Sequence, residues 1–468
     1  MPQTVIWKYP YYKLHTNSGL ARPDLYKEVL IDVTQSVPPF PETGEILSNT
    51  LADAVGDFSG KEGVSILDFG AGRFRNTMHL LRVYPKNHVG AVEFKKLEGT
   101  LKTHIGEAGR FSKRFRKITY PEDFFGSPET FDLIILINVL NIMPIPSERL
   151  LAIKYCRTKL KENGEILWYT QHKDPYYQKA CTENNMLGDG YYLGEKKPYQ
   201  TFYRDFEPQE IDEMFLANGM KLERKIVAKG SLARLYKLRS SNPIDEVLTP
   251  DLIRKHVQAD LDVPRREGKS VTTIRKGRGM VLNFPNPDHL SYEKIYLDSL
   301  TKIPRGPGAN YAYQNLVAAI LTRTLVRPPD YVELEKEIVN GQKRIDIVIT
   351  NKAEKGFFRE VRETFRVISS YVMVECKNYS DDLKNPEFDQ LVGRFSDDWS
   401  NFGFVVCREN KDRDAILAKA RAVKRQHPTQ HALCLSDSDL AQLLNLRLND
   451  PDEVDQYMTK KFEEIRLN

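Results

Sequence analysis

The sequence predicts an α/β chain of two domains, the first built on a parallel sheet with helices on both faces. Three observations predict it. Short apolar runs alternate with helical patterns up to about residue 240. A polar, proline-punctuated stretch then interrupts them, and strand-like runs framed by helices resume beyond it. Apolar strands separated by helices indicate parallel pairing with both sheet faces buried.

The elements justify themselves in order. VSILDF (64–69), HVGAVEF (88–94), FDLIILINVL (131–140) and GEILWYT (164–170) are short, β-branched and bounded by Gly, Pro or charge, as buried strands are. Between them, SERLLAIKYCRTKL (147–160) brings Leu150, Leu151, Ile153, Tyr155 and Cys156 to one helical face. Residues 1–60, rich in Pro and Tyr, read as an extension that packs onto this sheet. The domain itself spans 61–240 and closes on the helix and hairpin of EIDEMFLANGMKLERKIVAKGSLARLYKL. Residues 241–289 form a connector in which Arg265, Arg266, Lys269, Arg275, Lys276 and Arg278 crowd around a single acid, Glu267. A second domain follows over 290–468. The helix YAYQNLVAAILTRTL precedes the strands YVELEKEIV, RIDIVIT, YVMVECKN and FGFVVC, and the helices DAILAKARAVKRQ and SDLAQLLNL close the chain.

Composition excludes several classes. With 41% hydrophobic residues the chain can bury ordinary cores, so wholesale disorder is excluded. No run reaches the roughly 18 apolar residues of a membrane span, and MPQTVIWKYPYYKLH lacks a signal-peptide layout. Five scattered cysteines without CxxC pairing read as reduced thiols of a cytoplasmic protein, with neither a disulfide framework nor a structural zinc. A net charge of +5 permits a nucleic-acid partner without requiring one.

SILDFGAGRFRNT places Asp68, Gly70 and Gly72 in a tight turn between a buried strand and a helix. Glycines there let backbone approach a ligand, and the helix start offers free N–H groups. A dinucleotide GxGxxG pattern would need Gly where Arg75 stands. The shorter DxGxG form resembles motif I of class I S-adenosylmethionine-dependent methyltransferases, whose fold is a Rossmann-like seven-stranded sheet. The resemblance spans about 60–240 and implies a role for each residue in register with it. Glu93, ending the second strand, would bind the cofactor's ribose. Glu122 and Asp123, after the third, would meet its adenine, and Asn138, ending the fourth, would stand beside the transferred methyl. A generic α/β sheet carrying a glycine turn is the alternative. The run NVLNIMPIPSERLL is also similar to methyltransferase-like proteins associated with DNA phosphorothioation systems. Base-modifying enzymes of the family carry an Asn/Asp/Ser-Pro-Pro-Tyr/Phe motif there, reading a flipped base. The strand here ends Asn138-Val139-Leu140-Asn141, which argues against DNA-base methylation.

In the second half, RIDIVI carries Asp346, and VMVECKN carries Glu375 and Lys377, which share a strand face because side chains alternate. With Asp346 on an adjacent strand, two carboxylates can hold Mg²⁺ (or Mn²⁺) while the lysine orients the attacking water. This D…ExK set resembles the PD-(D/E)XK superfamily, in its restriction-endonuclease-like, Mrr-type branch, over roughly 290–445. The resemblance implies Asp346 and Glu375 as metal ligands, Lys377 beside the water, and Gln390, on the following helix, in support. Asn378-Tyr379 follows the lysine as in the family, whereas Gln314 replaces its optional helical acid. The insert 351–370 lengthens the Asp-to-Glu interval. The alternatives are an exposed Glu–Lys pair, or a nuclease fold that has lost activity and only binds.

Arg110–Lys117 interleaves aromatics with basic residues, a pattern shared by nucleic-acid contacts and, more often, solvated surface, and the connector's Arg265, Arg266, Lys269, Arg275, Lys276 and Arg278, next to the second domain, are the stronger candidates for phosphate contacts. His79, His172 and His256 lack metal-ligand spacing and read as structural or exposed, and Cys376 reads as a core residue. The resulting expectation is a metal-dependent DNA endonuclease fused to an S-adenosylmethionine-binding domain, acting in bacterial defence against foreign DNA, with DNA and other subunits of a defence system as candidate partners. The alternative is a methyltransferase acting on RNA, protein or a small molecule, with the nuclease fold as a nucleic-acid-binding module. Oligomeric state is not legible.

Overall fold

The computed structural model describes residues 11–16, 27–36, 45–56, 63–94, 102–120, 122–194, 200–238, 291–338, 343–379 and 383–466, apart from isolated positions inside these spans, with a few more near 18 and 275–283. The chain divides into two compact units. The first holds the described residues up to Phe206, the hairpin from Leu222 and the short strands near 280; the second holds Glu207–Lys221 and everything from Tyr292.

In the first unit, β1 (Tyr11–Thr16) and β2 (Lys27–Asp32) pair antiparallel, and α1 (Glu45–Gly56) follows. Then come β3 (Ser65–Phe69), α2 (Arg75–Val83), β4 (His88–Phe94), α3 (Lys102–Gly109), β5 (Phe115–Tyr120), α4 (Glu122–Gly126), β6 (Phe131–Ile137), α5 (Pro146–Thr158) and β7 (Leu160–Gln171). After β7 an excursion carries α6 (Pro175–Ala180), β8 (Met186–Leu187), β9 (Gly190–Leu193) and β10 (Thr201–Tyr203). The chain then passes through α7 (Pro208–Ala217), part of the second unit, to β11 (Met220–Ala228) and β12 (Ser231–Leu238).

The seven-stranded sheet has the order β11-β12-β7-β6-β3-β4-β5, with β7, β6, β3, β4 and β5 parallel and β12 antiparallel to β7. Connections run outward from β3 in one direction and from β6 in the other, so the order reverses between these strands. A doubly wound sheet binds ligands at the carboxyl ends beside such a reversal. One face packs Ile66, Leu133, Ile135, Leu167 and Tyr169 against Leu47 and Leu51 of α1 and Met78 and Leu81 of α2. The alternating residues Leu67, Ile134, Leu136 and Trp168 are fully buried on the other face. Each such side chain contributes roughly 1.5–3 kcal/mol by leaving water, which is why both faces must be covered.

The predicted strand 131–140 ends at Ile137, because Asn138 takes a left-handed conformation (φ 54°) that breaks the strand. The predicted 164–170 lengthens to β7. Of the connector, only β13 (Arg275–Lys276), β14 (Gly279–Met280) and β15 (Leu282–Asn283) are described, β15 running parallel to β1. Arg265, Arg266, Lys269 and Arg278 lie outside the described residues, and only the backbone of Arg275 and Lys276 is described.

The second unit opens with α8 (Tyr292–Lys302) and α9 (Asn310–Thr324), the latter buried on almost every side. Its sheet runs in chain order through β16 (Val332–Ile338), β17 (Lys343–Thr350), β18 (Tyr371–Lys377), β19 (Phe402–Cys407) and β20 (His431–Ser436). The first two pairings are antiparallel and the last two parallel. Around it lie α10 (Asn385–Val392), α11 (Arg413–Gln426), α12 (Asp437–Asn449) and α13 (Pro451–Arg466), with Phe462 of α13 in ring contact with Phe402. The insert 351–370 carries two helical turns, Phe357–Arg359 and Glu360–Thr364. Buried Arg323 ties α7, α8 and α9 together, 2.7 Å from Glu293 and 3.6 Å from Glu213. Among the described residues no helix is long and apolar enough to cross a membrane.

Candidate active site

The carboxyl ends of β3, β4, β5 and β6 meet at the sheet's reversal point. Beyond β3, Gly70 and Gly72 hold φ of 75° and 56°, the left-handed region where a side chain is strained. The N–H groups of Gly70 and Ala71 donate to the Val92 carbonyl at 3.1 and 3.0 Å, folding the turn over the end of β4. The Gly72 N–H donates to Oε2 of Glu93 at 2.7 Å. Asp68 is buried inside β3 and accepts from the Thr77 hydroxyl of α2 at 2.6 Å. Burial raises its pKa to about 6, against the opposing pull of Thr77 and the Arg75 charge.

A Cβ on Gly70 would stand 2.8 Å from Cγ2 of Val139, so this glycine seats the turn against the chain leaving β6. There the Asn138 N–H donates to the Tyr169 carbonyl, and its Oδ1 accepts from the Gln171 N–H at 3.3 Å. Asp123 is exposed and accepts from the N–H of Thr119, the residue paired with Glu93 across β4 and β5; that bond holds its carboxyl below the usual range. The side chain of Glu122 lies outside the described residues. Asp68, Gly70, Gly72, Glu93, Asp123 and Asn138 thus gather at one edge of the sheet.

The excursion after β7 walls the same edge. Fully buried Arg149 of α5 grips Asp189 through Nη1 and Nη2, at 2.5 and 2.8 Å, and donates from Nε to the Met143 carbonyl. Arg204 donates its N–H to the Asn141 carbonyl, joining the end of β10 to the helical turn Leu140–Ile142. Tyr177 and Tyr203 stack face to face, 3.8 Å apart. His172 Nδ1 lies 2.9 Å from Oδ1 of Asp205, and the Lys173 N–H donates to Oδ2. Sequence reading placed His172 among histidines that are structural or exposed; its carboxylate partner is 33 residues away along the chain. The basic run 110–117 is partly absorbed into the fold. Arg114 donates to the carbonyls of Leu81, Tyr84 and Asn87, Phe111 and Phe115 pack on the core, and Arg116 pairs with Glu129.

In the second unit, Asp346 and Glu375 lie on neighbouring strands, and Oδ2 of Asp346 accepts from the Cys376 N–H at 2.9 Å. Lys377 Nζ is 3.8 Å from Glu375 and donates to Oε1 of Gln390 at 2.6 Å. Sequence reading missed the residue that completes this set. Arg394, just beyond α10, ion-pairs with buried Glu375, and Asp346 acts on its charge as well. Two cations of the chain therefore face these two carboxylates. Among the described residues no group of three or more His, Cys, Asp or Glu side chains could hold a metal. Gln314 is buried in α9. Cys376 is half-buried, and its thiol acts on the charge of Tyr313.

No family model and no curated protein matches the chain. Solved structures do match, over about two fifths of its length in the N-terminal part. One is the pyocyanin biosynthetic protein PhzM, at 13% identity and a TM-score of 0.30; the match covers 41% of this chain and 55% of PhzM. A second is the 1,6-didemethyltoxoflavin-N1-methyltransferase of Burkholderia thailandensis, at 19% identity and 0.32, covering 42% and 78%. A third is an S-adenosylmethionine-dependent methyltransferase from Clostridium acetobutylicum, at 15% and 0.31, covering 42% and 91%. At such identities and scores, function has to be read from the site's own residues.

Proposed function

We propose that the first unit is an S-adenosylmethionine-dependent methyltransferase and that the second serves it as a nucleic-acid-binding module. The observation that carries this reading is the glycine turn at the sheet's reversal point, closed over β4 and held by the 2.7 Å bond from Gly72 to Glu93. The site fits the cofactor. Two left-handed glycines keep the turn free of side chains, carboxylates stand at the ends of β4 and β5, and Asn138 follows β6 with its Oδ1 held by the Gln171 N–H. In this reading Glu93 holds the ribose hydroxyls, Asp123 the adenine, and Asp68 fixes the turn through Thr77. The cofactor, when bound, supplies a methyl group made electrophilic by its sulfonium. Binding of S-adenosylmethionine by the wild type, lost in Glu93→Ala and Gly70→Ala, tests the reading; equal binding by all three sinks it.

A second reading keeps DNA cleavage, in a defence role, for the second unit. The convergence of Lys377, Glu375 and Gln390 favours it. The residues as arranged do not fit a resident Mg²⁺, because Arg394 and Lys377 already compensate Glu375 and a backbone N–H engages Asp346. Lys377-dependent cleavage of plasmid DNA is the test; no cleavage by wild type with Mg²⁺ or Mn²⁺ removes this reading.

A further inference from the structure

We propose that the second unit carries a binding site for a phosphate monoester at the carboxyl end of β20, in which Arg413, Lys460 and Lys461 hold the phosphate. The site lies wholly within that unit and stands independently of the methyltransferase reading of the first.

The observation is a cavity of about 330 Å³ where the starts of α11 and α12 meet the second half of α13. That is the size of a small-molecule site and about ten times the roughly 30 Å³ share of one water. Arg413 opens α11, Ser436 ends β20 and Ser438 lies in the first turn of α12. From α13, Tyr457, Lys460, Lys461 and Glu464 line the same space. They recur at i, i+3, i+4 and i+7, one stripe of the helix, while Val454, Met458, Phe462 and Ile465 are buried in the core on another. The polar stripe is therefore not needed for packing.

Counting donors against acceptors selects the ligand. The acids on the wall are already engaged. Oδ2 of Asp439 accepts from the N–H and the hydroxyl of Ser436, at 2.8 and 2.9 Å, in the capping box that starts α12. Its Oδ1 accepts from the Tyr457 hydroxyl and lies 2.7 Å from Lys461 Nζ. Both oxygens of Glu464 accept from Nη2 of Arg413, at 3.1 and 2.9 Å. The donors are not used up. Lys461 has further N–H groups beyond the one given to Asp439, and Arg413 keeps Nε and Nη1. Lys460 is exposed and has no partner among the described residues. Three cations thus face two carboxylates whose lone pairs are occupied.

Such a cavity calls for negative charge and several acceptor oxygens. A phosphate monoester brings three such oxygens and about 1.5–2 negative charges near neutral pH, and lysine and arginine are its usual partners. The remaining space takes a group of sugar size, with the Ser438 hydroxyl at its wall. The Asp346, Glu375 and Lys377 set is elsewhere on the sheet. Lys377, Cys407 and Ser436 are in register across β18, β19 and β20, so Ser436 is two strands, roughly 10 Å, from Lys377.

The test uses the full chain. Ribose 5-phosphate and ribose are titrated by calorimetry into wild type, Arg413→Ala, Lys460→Ala and Lys460→Glu, with urea unfolding beside each. Lys460→Ala should unfold as wild type does, so any binding it loses is a lost contact. Wild type should bind ribose 5-phosphate with a Kd below about 1 mM and ribose far more weakly. Lys460→Ala and Arg413→Ala should each weaken the phosphate ester about three- to ten-fold, and Lys460→Glu at least about ten-fold. A short DNA strand with a 5′-phosphate is compared with its 5′-hydroxyl twin. Tighter binding of the first, lost in Lys460→Glu, assigns the ester to a strand end; equal binding of the two, with ribose 5-phosphate bound, assigns it to a free molecule. Failure of wild type to bind either phosphorylated probe overturns the proposal. So does ribose bound as well as its phosphate, or phosphate-dependent binding that Lys460→Glu leaves unchanged.

Discussion

The backbone N–H of Gly72 and the carboxylate of Glu93 are joined by a 2.7 Å hydrogen bond that fastens the turn after β3 to the end of β4. Glu93→Ala removes both this acceptor and the acid. Affinity for S-adenosylmethionine should fall at least about ten-fold, equivalent to 1.4 kcal/mol. Glu93→Gln keeps an acceptor for Gly72 and should lose less. Calorimetric titration of both variants checks the order.

Gly70→Ala should abolish cofactor binding and lower stability. Its φ of 75° strains any side chain, and the new Cβ would lie 2.8 Å from Val139. A loss of about 1–3 kcal/mol in urea unfolding is the expected size. Adding Val139→Ala makes room and should recover part of the loss, leaving the φ strain.

Glu148 gives the first unit a pH signature. Burial raises its pKa from 4.5 to about 8, opposed by the Tyr12 hydroxyl, which donates to Oε2 at 2.7 Å, and by the Arg149 charge. Between those pH values the folded chain holds a proton that the unfolded chain has released. Stability therefore falls as pH rises from about 4.5 to about 8 and levels off above. Glu148→Gln should flatten this slope and be more stable than wild type at pH 8, by about 2 kcal/mol. Asp68 and Glu213, raised to about 6 and about 7 by burial, add slope of the same sign and remain in the variant. Urea unfolding at pH 5, 6.5 and 8 measures the difference.

Arg394 is the compensating charge for Glu375 in the second unit. Arg394→Ala leaves a carboxylate that is 1% exposed with, among the described residues, Lys377 as its remaining cation, 3.8 Å away, and should cost about 3–5 kcal/mol. Glu375→Gln in the same chain should restore much of it, because the buried charge is then gone. A double-mutant cycle by urea unfolding reads the coupling.

Local signals in the sequence reached far along the sheets. Strand 88–94 was legible to the residue, since HVGAVEF is apolar, short and bounded by charge, and the Asp68-Phe69-Gly70-Ala71-Gly72 spacing marked the turn. Elements whose identity depends on tertiary context were not. HALCLS in β20 is too short to separate from a helical run by period, and α13 is strongly charged along most of its length. The same limit hid the partners of the candidate sites. Arg394 and Glu375 are separated by 19 positions, and His172 and Asp205 by 33, so only folding shows that they meet. Asn138 was visible as the end of a strand, but its left-handed backbone was not.

The most direct measurement is calorimetric titration of the full chain with S-adenosylmethionine, wild type beside Glu93→Ala. The account predicts one site per chain for wild type and a loss of affinity of at least about ten-fold in the variant. Absence of binding by wild type, or binding unchanged in Glu93→Ala, would contradict it.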